Sequence, residues 1–466
     1  MTCCLRVGRR GGGTVKGLDA SRAGGIAVLG VVAIFALFSS VVAVTTPAWE
    51  AADEPDHVHN VETLVSGHWY RMEQGAGLEA HQAPLYYLGL AAWQKLWRVP
   101  LRSPRPIGAG GAYLADRRGQ FLFAHHTARD SADHRFVLWL RLPGVLLGAL
   151  TVLFAAATVR RLSSDPWTPA VAAAIVAGVP KLVFLSGVVN NDNLANALGG
   201  LLTLLAMLFV VRAPLGGSRT WLWWAAALGA VLGLLVLTKL STFPFAAGVV
   251  VAVLVTVRSW RERAKVLCVA AGSALAVCGW WLVQNQVRYG DPVAARVSHD
   301  YLERIGGLGG RFVNGRVVHG TTGLNLFNVV LVDVPRKLYD TFWYDSGWNQ
   351  FKWSSLAYIA FWAALVIALA GLVIAGRKPL RSIAGPVLLL ITFAVAALSA
   401  VWITALQTTT FEARLAFTGL PAIGCLAALG LERWTLLVPL RFVGPVIGLV
   451  GTVVAIEHDI LSVNLR

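Results

Sequence analysis

Asp53-Glu54-Pro55-Asp56-His57-Val58-His59 gathers acids and imidazoles directly after the first apolar run of the chain. A second group, Glu79-Ala80-His81-Gln82-Ala83-Pro84-Leu85-Tyr86-Tyr87, follows a short way on. An ionised carboxylate is costly beside lipid, so acids at the mouth of a span line a watery cavity or a functional site. Asp53 and Glu54 suit general-base chemistry; neighbours on a chain point apart, so one takes a proton while the other orients it or holds another group. The competing role is structural, because an acid just before Pro55 is well placed to cap a helix that opens there. Glu54, His57 and His81 are also acceptable ligands for a divalent cation. No compact metal spacing such as HExxH accompanies them, and a solvated polar face is the alternative for His57, His59 and His81.

Three cations extend the chemistry. Lys239 in Thr238-Lys239-Leu240-Ser241, Arg288 before Tyr289-Gly290-Asp291-Pro292, and Arg414 in Phe411-Glu412-Ala413-Arg414 all fall at ends of apolar segments. They suit a phosphate site through charge-assisted hydrogen bonds; snorkelling to headgroups is the alternative. Asn190-Asn191-Asp192-Asn193 forms a very short turn between two spans, an ordinary turn composition that also places Asn191 and Asp192 where they can line a cavity. With His57, His81, Gln82 and Tyr86 they make up the candidate substrate cavity. Arg336-Lys337 and Phe342-Trp343-Tyr344-Asp345-Ser346-Gly347-Trp348 read as a return to the membrane interface, with the aromatics as a belt or as contacts to a sugar or lipid chain.

The elements that carry these residues are apolar helices. Of 466 residues, 56% are hydrophobic and 14% charged, with mean hydropathy +0.63. A soluble chain carries roughly 25% charged residues, so this one is built for lipid. The net charge of +16 belongs to cytoplasmic loops facing anionic headgroups rather than to nucleic acid, since no basic and aromatic residues interleave in a soluble module. Cys3 and Cys4 stand in the tail and Cys268, Cys278 and Cys425 within apolar segments, a pattern that makes no disulfide framework and no CxxC site.

Residues 1–23 read as a disordered cytoplasmic tail, and 24–46 as a span rather than a secretory signal, whose apolar region is only about 7–15 residues. Further spans are expected at 136–158, 167–189, 193–211, 221–238, 243–257, 266–285, 354–375, 383–403, 414–431 and 436–456, about eleven in all, giving an all-α polytopic domain over 24–466. Lys and Arg crowd the loops after alternate spans, which sets the N-terminus inside and puts two long loops, 47–135 and 286–353, outside. Within the first, a helix from Pro55 carries a Val58, Val61, Leu64, Val65 stripe that stops at Gly67, leaving His57, Asn60 and Glu62 off the stripe. A second, over Pro84–Trp97, is too short to span and reads as interfacial. Residues 98–135 read as a mobile loop.

Taken in order, these motifs resemble the GT-C membrane glycosyltransferases, in particular the protein O-mannosyltransferase and lipid A aminoarabinose transferase branch. The likeness rests on the Asp-Glu pair after the first span, His-Gln-x-Pro-Leu-Tyr-Tyr at 81–87, Asn-Asn-Asp-Asn at 190–193 and Thr-Lys-Leu-Ser at 238–241. It continues through 280–292, 342–348 and Glu-Ala-Arg-Leu at 412–415. The resemblance implies a polyprenyl-phosphate-linked sugar as donor at the outer face, with Asp53 as base. It also implies a glycan, lipid or protein acceptor and location in the cell membrane of a bacterium. Two departures stand out: the soluble carbohydrate-binding domain of some relatives has no counterpart, and Glu-Ala-Arg-Leu replaces the usual Arg-Tyr. The expected reaction is inverting transfer to a hydroxyl, with Lys239, Arg288, Arg414 or a divalent cation compensating charge on the leaving phosphate. A transporter or flippase of a lipid-linked or polar solute is the rival. It calls for ionisable groups in mid-membrane and internal repeats, whereas here Lys181 and Arg141 are the main interior charges.

Overall fold

A computed structural model describes residues 15–49, 51–72, 78–99, 132–212, 218–306, 310–313, 316–319, 322–344, 354–374, 383–408, 411–434 and 438–464. The N-terminal tail before residue 15 and most of the 98–135 loop lie outside them. Among the described residues the membrane-spanning part is all-α. Eight helices are long and apolar enough to cross a membrane, or nine with one bent pair counted. The chain is thus a multi-pass membrane protein, and every one of the eleven expected segments has a helical counterpart. The difference in count arises at three places. The segment 167–189 is the bent pair, α5 (Thr168–Ala177) and α6 (Pro180–Ser186), which meet at 71°. The segments at 243–257 and 436–456 carry shorter apolar helices, Leu240–Thr256 and Pro439–Val454.

The bend has a local cause. Pro180 has no N–H to donate, and Val179 before it is extended at φ −87°, ψ 105°. The N–H of Lys181 donates instead to the Trp343 carbonyl at 2.8 Å. The first helix, α1 (Val15–Thr45), begins well before the expected boundary at residue 24.

After α1 the first loop holds α2 (Glu54–Val65), a 3₁₀ turn (Leu78–His81) and α3 (Leu85–Leu96). α4 (Ala132–Val159) then returns through the bundle, followed by α5 and α6, α7 (Asp192–Arg212) and α8 (Ser218–Thr238). A 3₁₀ turn (Leu240–Phe245) leads into α9 (Ala246–Thr256) and α10 (Trp260–Tyr289). The second loop supplies α11 (Ala295–Gly306) and a feature absent from the sequence reading, an antiparallel three-stranded meander. β1 (Gly310–Val313), β2 (Arg316–His319) and β3 (Thr322–Asn325) pair in order, with Arg311 opposite Val318 and Val317 opposite Leu324. A continuous helical stretch follows, α12 (Leu326–Asn328), a π segment (Val329–Asp333) and α13 (Val334–Thr341). The last helices are α14 (Ser355–Ile374), α15 (Ala384–Ala405), α16 (Leu420–Arg433) and α17 (Val438–Asn464).

Among the described residues two main cores and a small third cluster, Ala83, Leu237, Cys278 and Trp281, hold the buried apolar side chains. The larger fills the bundle and includes Phe35, Leu182, Phe209, Phe393 and Phe417. Phe342, Trp343 and Tyr344, read from sequence as a belt or as substrate contacts, are buried; Phe342 and Trp343 pack in this core against Phe417 and Phe361. Trp348 lies outside the described residues. The smaller core lies under the loops, where Trp49, Val58, Val61, Tyr87, Leu90 and Tyr301 close over the end of the bundle. His57, Asn60 and Glu62 of α2 are buried, whereas His59 is exposed, so the solvated face expected of the imidazoles holds for His59 and not for His57.

Candidate active site

The chain leaves α1 through a tight turn in which Trp49 and Asp53 both have positive φ, 72° and 63°. Left-handed backbone costs an L-residue about 1–2 kcal/mol, and Asp tolerates it better than most. Asp53 occupies the N-cap position of α2, yet its side chain makes no capping hydrogen bond. Its carboxylate instead pairs with Arg414. The cap role weighed above is therefore filled by position alone, and the carboxylate is turned to Arg414 instead.

Glu54 goes the opposite way. Its carboxylate is fully buried and bidentate on Arg141 of α4, at 2.8 Å and 2.6 Å. It also accepts the Val189 N–H at 3.0 Å and the Trp49 N–H at 3.3 Å. Arg141 spends its other donors on the carbonyls of Ala43, Thr46 and Pro47, at 2.8, 2.6 and 3.1 Å. These are groups at the C-terminus of α1 and just beyond it, where a helix runs out of intrahelical partners. With both oxygens engaged in this clamp, Glu54 is placed neither to take a substrate proton nor to ligate a metal.

Arg414 also brings the turn before α7 close to Asp53. Asn190 caps locally, accepting the Asp192 N–H at 2.8 Å, while its own N–H donates to the Tyr86 hydroxyl at 3.0 Å. Asn191 donates to Gln82 Oε1 at 3.1 Å. Asp192 pairs with Lys239, which follows α8 in extended backbone. The Arg414 Nε lies 3.7 Å from Asp192 and 3.3 Å from Glu412, and the Lys181 ammonium lies 3.5 Å from Glu412. Asp53, Asp192, Lys239, Arg414 and Glu412 thus form one connected set of charges drawn from four separate parts of the chain.

His57 and Glu79 complete the floor. His57 Nδ1 and the Tyr87 hydroxyl are 2.8 Å apart, and Asn60 of α2 donates to the Glu79 carbonyl at 2.9 Å, tying the 3₁₀ turn to the helix. Burial raises the Asp53 carboxyl, but Arg414 and His57 beside it more than offset that and hold it below its ordinary value. Burial dominates at the other two groups, pushing His57 down and Glu79 up despite their mutual attraction. Burial also raises the Tyr86 and Tyr87 phenols, which keeps both as neutral hydrogen-bonding groups.

Most of the residues singled out from sequence converge here: Asp53, His57, Gln82, Tyr86, Asn191, Asp192, Lys239 and Arg414. His81 stands beside them, its Nε2 3.2 Å from the Gln82 amide nitrogen. Arg288 does not join them; it lies over the Tyr289 ring at 5.8 Å, and among the described residues no ion pair links it to the charge cluster. Glu79 and Tyr87 of the second cluster and Glu412 of the Arg414 motif join them without having had a role of their own in the sequence, and Arg141 takes a clamp role. Glu79 and Glu412 each stand two residues before a singled-out His81 or Arg414, and Arg141 was visible as a charge inside an apolar run. A potential cation site also differs from expectation: Asp53, His57 and Glu79, rather than Glu54, His57 and His81, bring ligand atoms within 4.8 Å of one another.

A helical bundle whose loops cover one charged end, with a carboxylate set among basic side chains, has counterparts among solved membrane proteins. Residues 94–290 match the family model of the dolichyl-phosphate-mannose-protein mannosyltransferases. The fold resembles ArnT from Cupriavidus metallidurans in the apo state, with TM-score 0.51 and 16% identity over 87% of this chain and 59% of that one. The same protein bound to undecaprenyl phosphate matches with TM-score 0.52 and 16% identity over 94% of this chain and 74% of that one. An oligosaccharyltransferase from Archaeoglobus fulgidus, tethered to an acceptor peptide, gives TM-score 0.50 and 14% identity over 94% of this chain and 55% of that one. The chain therefore has the fold of these enzymes while spanning 59% of the length of apo ArnT. No curated protein matches it by sequence.

Proposed function

We propose that the protein is an integral-membrane glycosyltransferase that moves a sugar from a polyprenyl-phosphate donor to an acceptor hydroxyl at the outer face of the membrane. The observation that carries this reading is Asp53, a carboxylate held ionised and uncapped at the end of the bundle beside Lys239 and Arg414. The family match and the fold shared with a protein solved on undecaprenyl phosphate support the donor class. Asp53 takes the proton of the acceptor hydroxyl, whose oxygen attacks the anomeric carbon from the face opposite the phosphate. The bond from that carbon to the phosphate oxygen breaks, its electron pair stays on the lipid phosphate, and configuration inverts. Lys239 and Arg414 compensate the charge that builds on the leaving phosphate. Arg288 has no part in this, given its place beside Tyr289. The donor sugar and the acceptor, whether glycan, lipid or protein, are set by contacts the fold does not name.

The positive-inside bias supports a cytoplasmic N-terminus and an outward-facing site. The rival transporter reading is less well supported, because the ionisable groups collect at one end of the bundle and Arg141 is absorbed in a clamp. A divalent cation is not needed for this reading, because Arg414 already stands as the cation beside the Asp53 carboxylate. The purified protein in nanodiscs should therefore release lipid phosphate from a polyprenyl-phosphate sugar in the presence of excess EDTA. Asp53→Asn should lower kcat by about 10²–10⁴-fold, the span of a lost general base. Equal transfer by the variant sinks the base assignment; no binding or consumption of any lipid-linked sugar sinks the enzyme class.

A further inference from the structure

Among the described residues three carboxylates and three cations are linked in one ion-pair network, Asp53, Asp192 and Glu412 with Lys181, Lys239 and Arg414, while His57 and Glu79 lie beside Asp53 outside it. The side chains that make these pairs are 3–20% exposed, so solvent does little to screen them. A donor phosphate brings at least one more negative charge and finds no unengaged cation within this set. One existing pair must open to admit it.

Arg414 is the group built to do so. Its Nε faces Asp192 and Glu412, while Nη2 is turned to Asp53, the most exposed of the three acids at 20% against 3% and 11%. A guanidinium is a planar fork whose donors serve different partners, so the Nε side can stay anchored while the Nη side changes partner. Asp53 stands in left-handed backbone and makes no capping bond to α2, so no capping bond ties its carboxylate to the helix when Arg414 leaves.

We propose that Arg414 is an exchange residue: the donor phosphate draws its Nη side away from Asp53, and Asp53 becomes available as base only once the donor is seated. This rests on the proposed donor site and adds an order to it. Lipid phosphate binds first, and the acceptor hydroxyl meets a released carboxylate second. In the empty enzyme Asp53 and phosphate are competitors for one guanidinium.

Competition has a signature that a plain base does not. Replacing Asp53 by Asn keeps shape and tolerance for positive φ while removing the competitor, so polyprenyl monophosphate should bind the Asp53→Asn protein about tenfold tighter than wild type. The measurement is lipid-phosphate titration of the full-length protein in nanodiscs, by tryptophan fluorescence or microscale thermophoresis, with melting temperature recorded for each variant. In the Arg414→Gln background the same Asp53→Asn change should give no gain. Unchanged or weaker binding by Asp53→Asn overturns the exchange. So does an equal gain in the Arg414→Gln background, which would reflect the general field of the site rather than a shared guanidinium. Failure of wild type to bind polyprenyl phosphate at all overturns the underlying donor reading instead, and is distinguishable for that reason.

Discussion

Asp53 is caught between a backbone that resists it and a cation that holds it. Because Arg414 and His57 keep its carboxyl below the ordinary range, the proton-accepting form predominates above about pH 4 and is lost only as pH falls through the lower folded value. The acidic limb of kcat/KM for the donor, which reports the free enzyme, should then lie below about pH 4, and Arg414→Gln should move it upward. A wild-type limb at pH 6–7 would assign the essential base to another group. His57 has the opposite chemistry with the same direction of shift. Burial depresses it, so the unfolded chain takes up a proton first, and its contribution to stability is present above about pH 6.5 and lost as pH falls below. The identity of these residues was legible because acids and imidazoles clustered at a span end. Their roles were not, because a one-residue step along a left-handed turn sends Asp53 to Arg414 and Glu54 to Arg141, and no periodicity encodes a turn of that kind.

At the scale of elements, the Glu54–Arg141 pair joins α1, α2, α4 and the turn before α7. It sets the spacing of both cavity walls, since Glu54 is next to Asp53 and accepts the N–H of Val189, which precedes Asn190. Removing one partner of a buried ion pair strands the other, so Arg141→Ala or Glu54→Gln should each cost about 3–5 kcal/mol. The cost is read as a fall in melting temperature of the detergent-solubilised protein. A variant that kept its melting temperature but lost transfer would instead place Glu54 in the chemistry. The short helices were legible as well: α2 ends at Ser66 with Gly67 at φ 83°, close to where the sequence stops it. What periodicity could not show is that the second loop reaches over them, with Tyr301 of α11 packed into the same small core. That burial turns the polar side of α2 into an interior wall.

The whole molecule is polarised. Asp53, Asp192, Lys239 and Arg414 gather at one end. Away from them, Asp165 pairs with Arg441 and Thr168 donates to Glu432 at 2.9 Å, both on segments read from sequence as inside. Asp165→Asn should lower thermal stability while leaving transfer unchanged, an outcome a plain activity assay beside a melt decides. Close helix contacts hold the ends in register. A Cβ on Gly430 of α16 would sit 1.8 Å from the Ala368 carbonyl oxygen of α14, so Gly430→Ala should force these helices apart at a cost of about 1–3 kcal/mol. Hydropathy made nearly all of this bundle legible, because spans are long and uniform. The bent α5–α6 pair and the β-meander escaped, since a break within an apolar run and short strands within a polar loop leave little trace in a window of twenty residues.

Arg141 also bears on how the chain enters the membrane. It sits within α4, a helix otherwise apolar enough to cross, and an unpaired arginine in a span raises the cost of insertion by about 2.5–3.5 kcal/mol at the helix centre. Every partner that satisfies it on the α1 and α2 side, from Ala43 to Glu54, is synthesised earlier. The nascent chain thus carries its own receptor for this charge, and α4 need not enter lipid as a solitary segment. Placed alone in an insertion reporter, α4 should integrate less completely than when preceded by residues 15–65, and Glu54→Leu should erase part of that advantage.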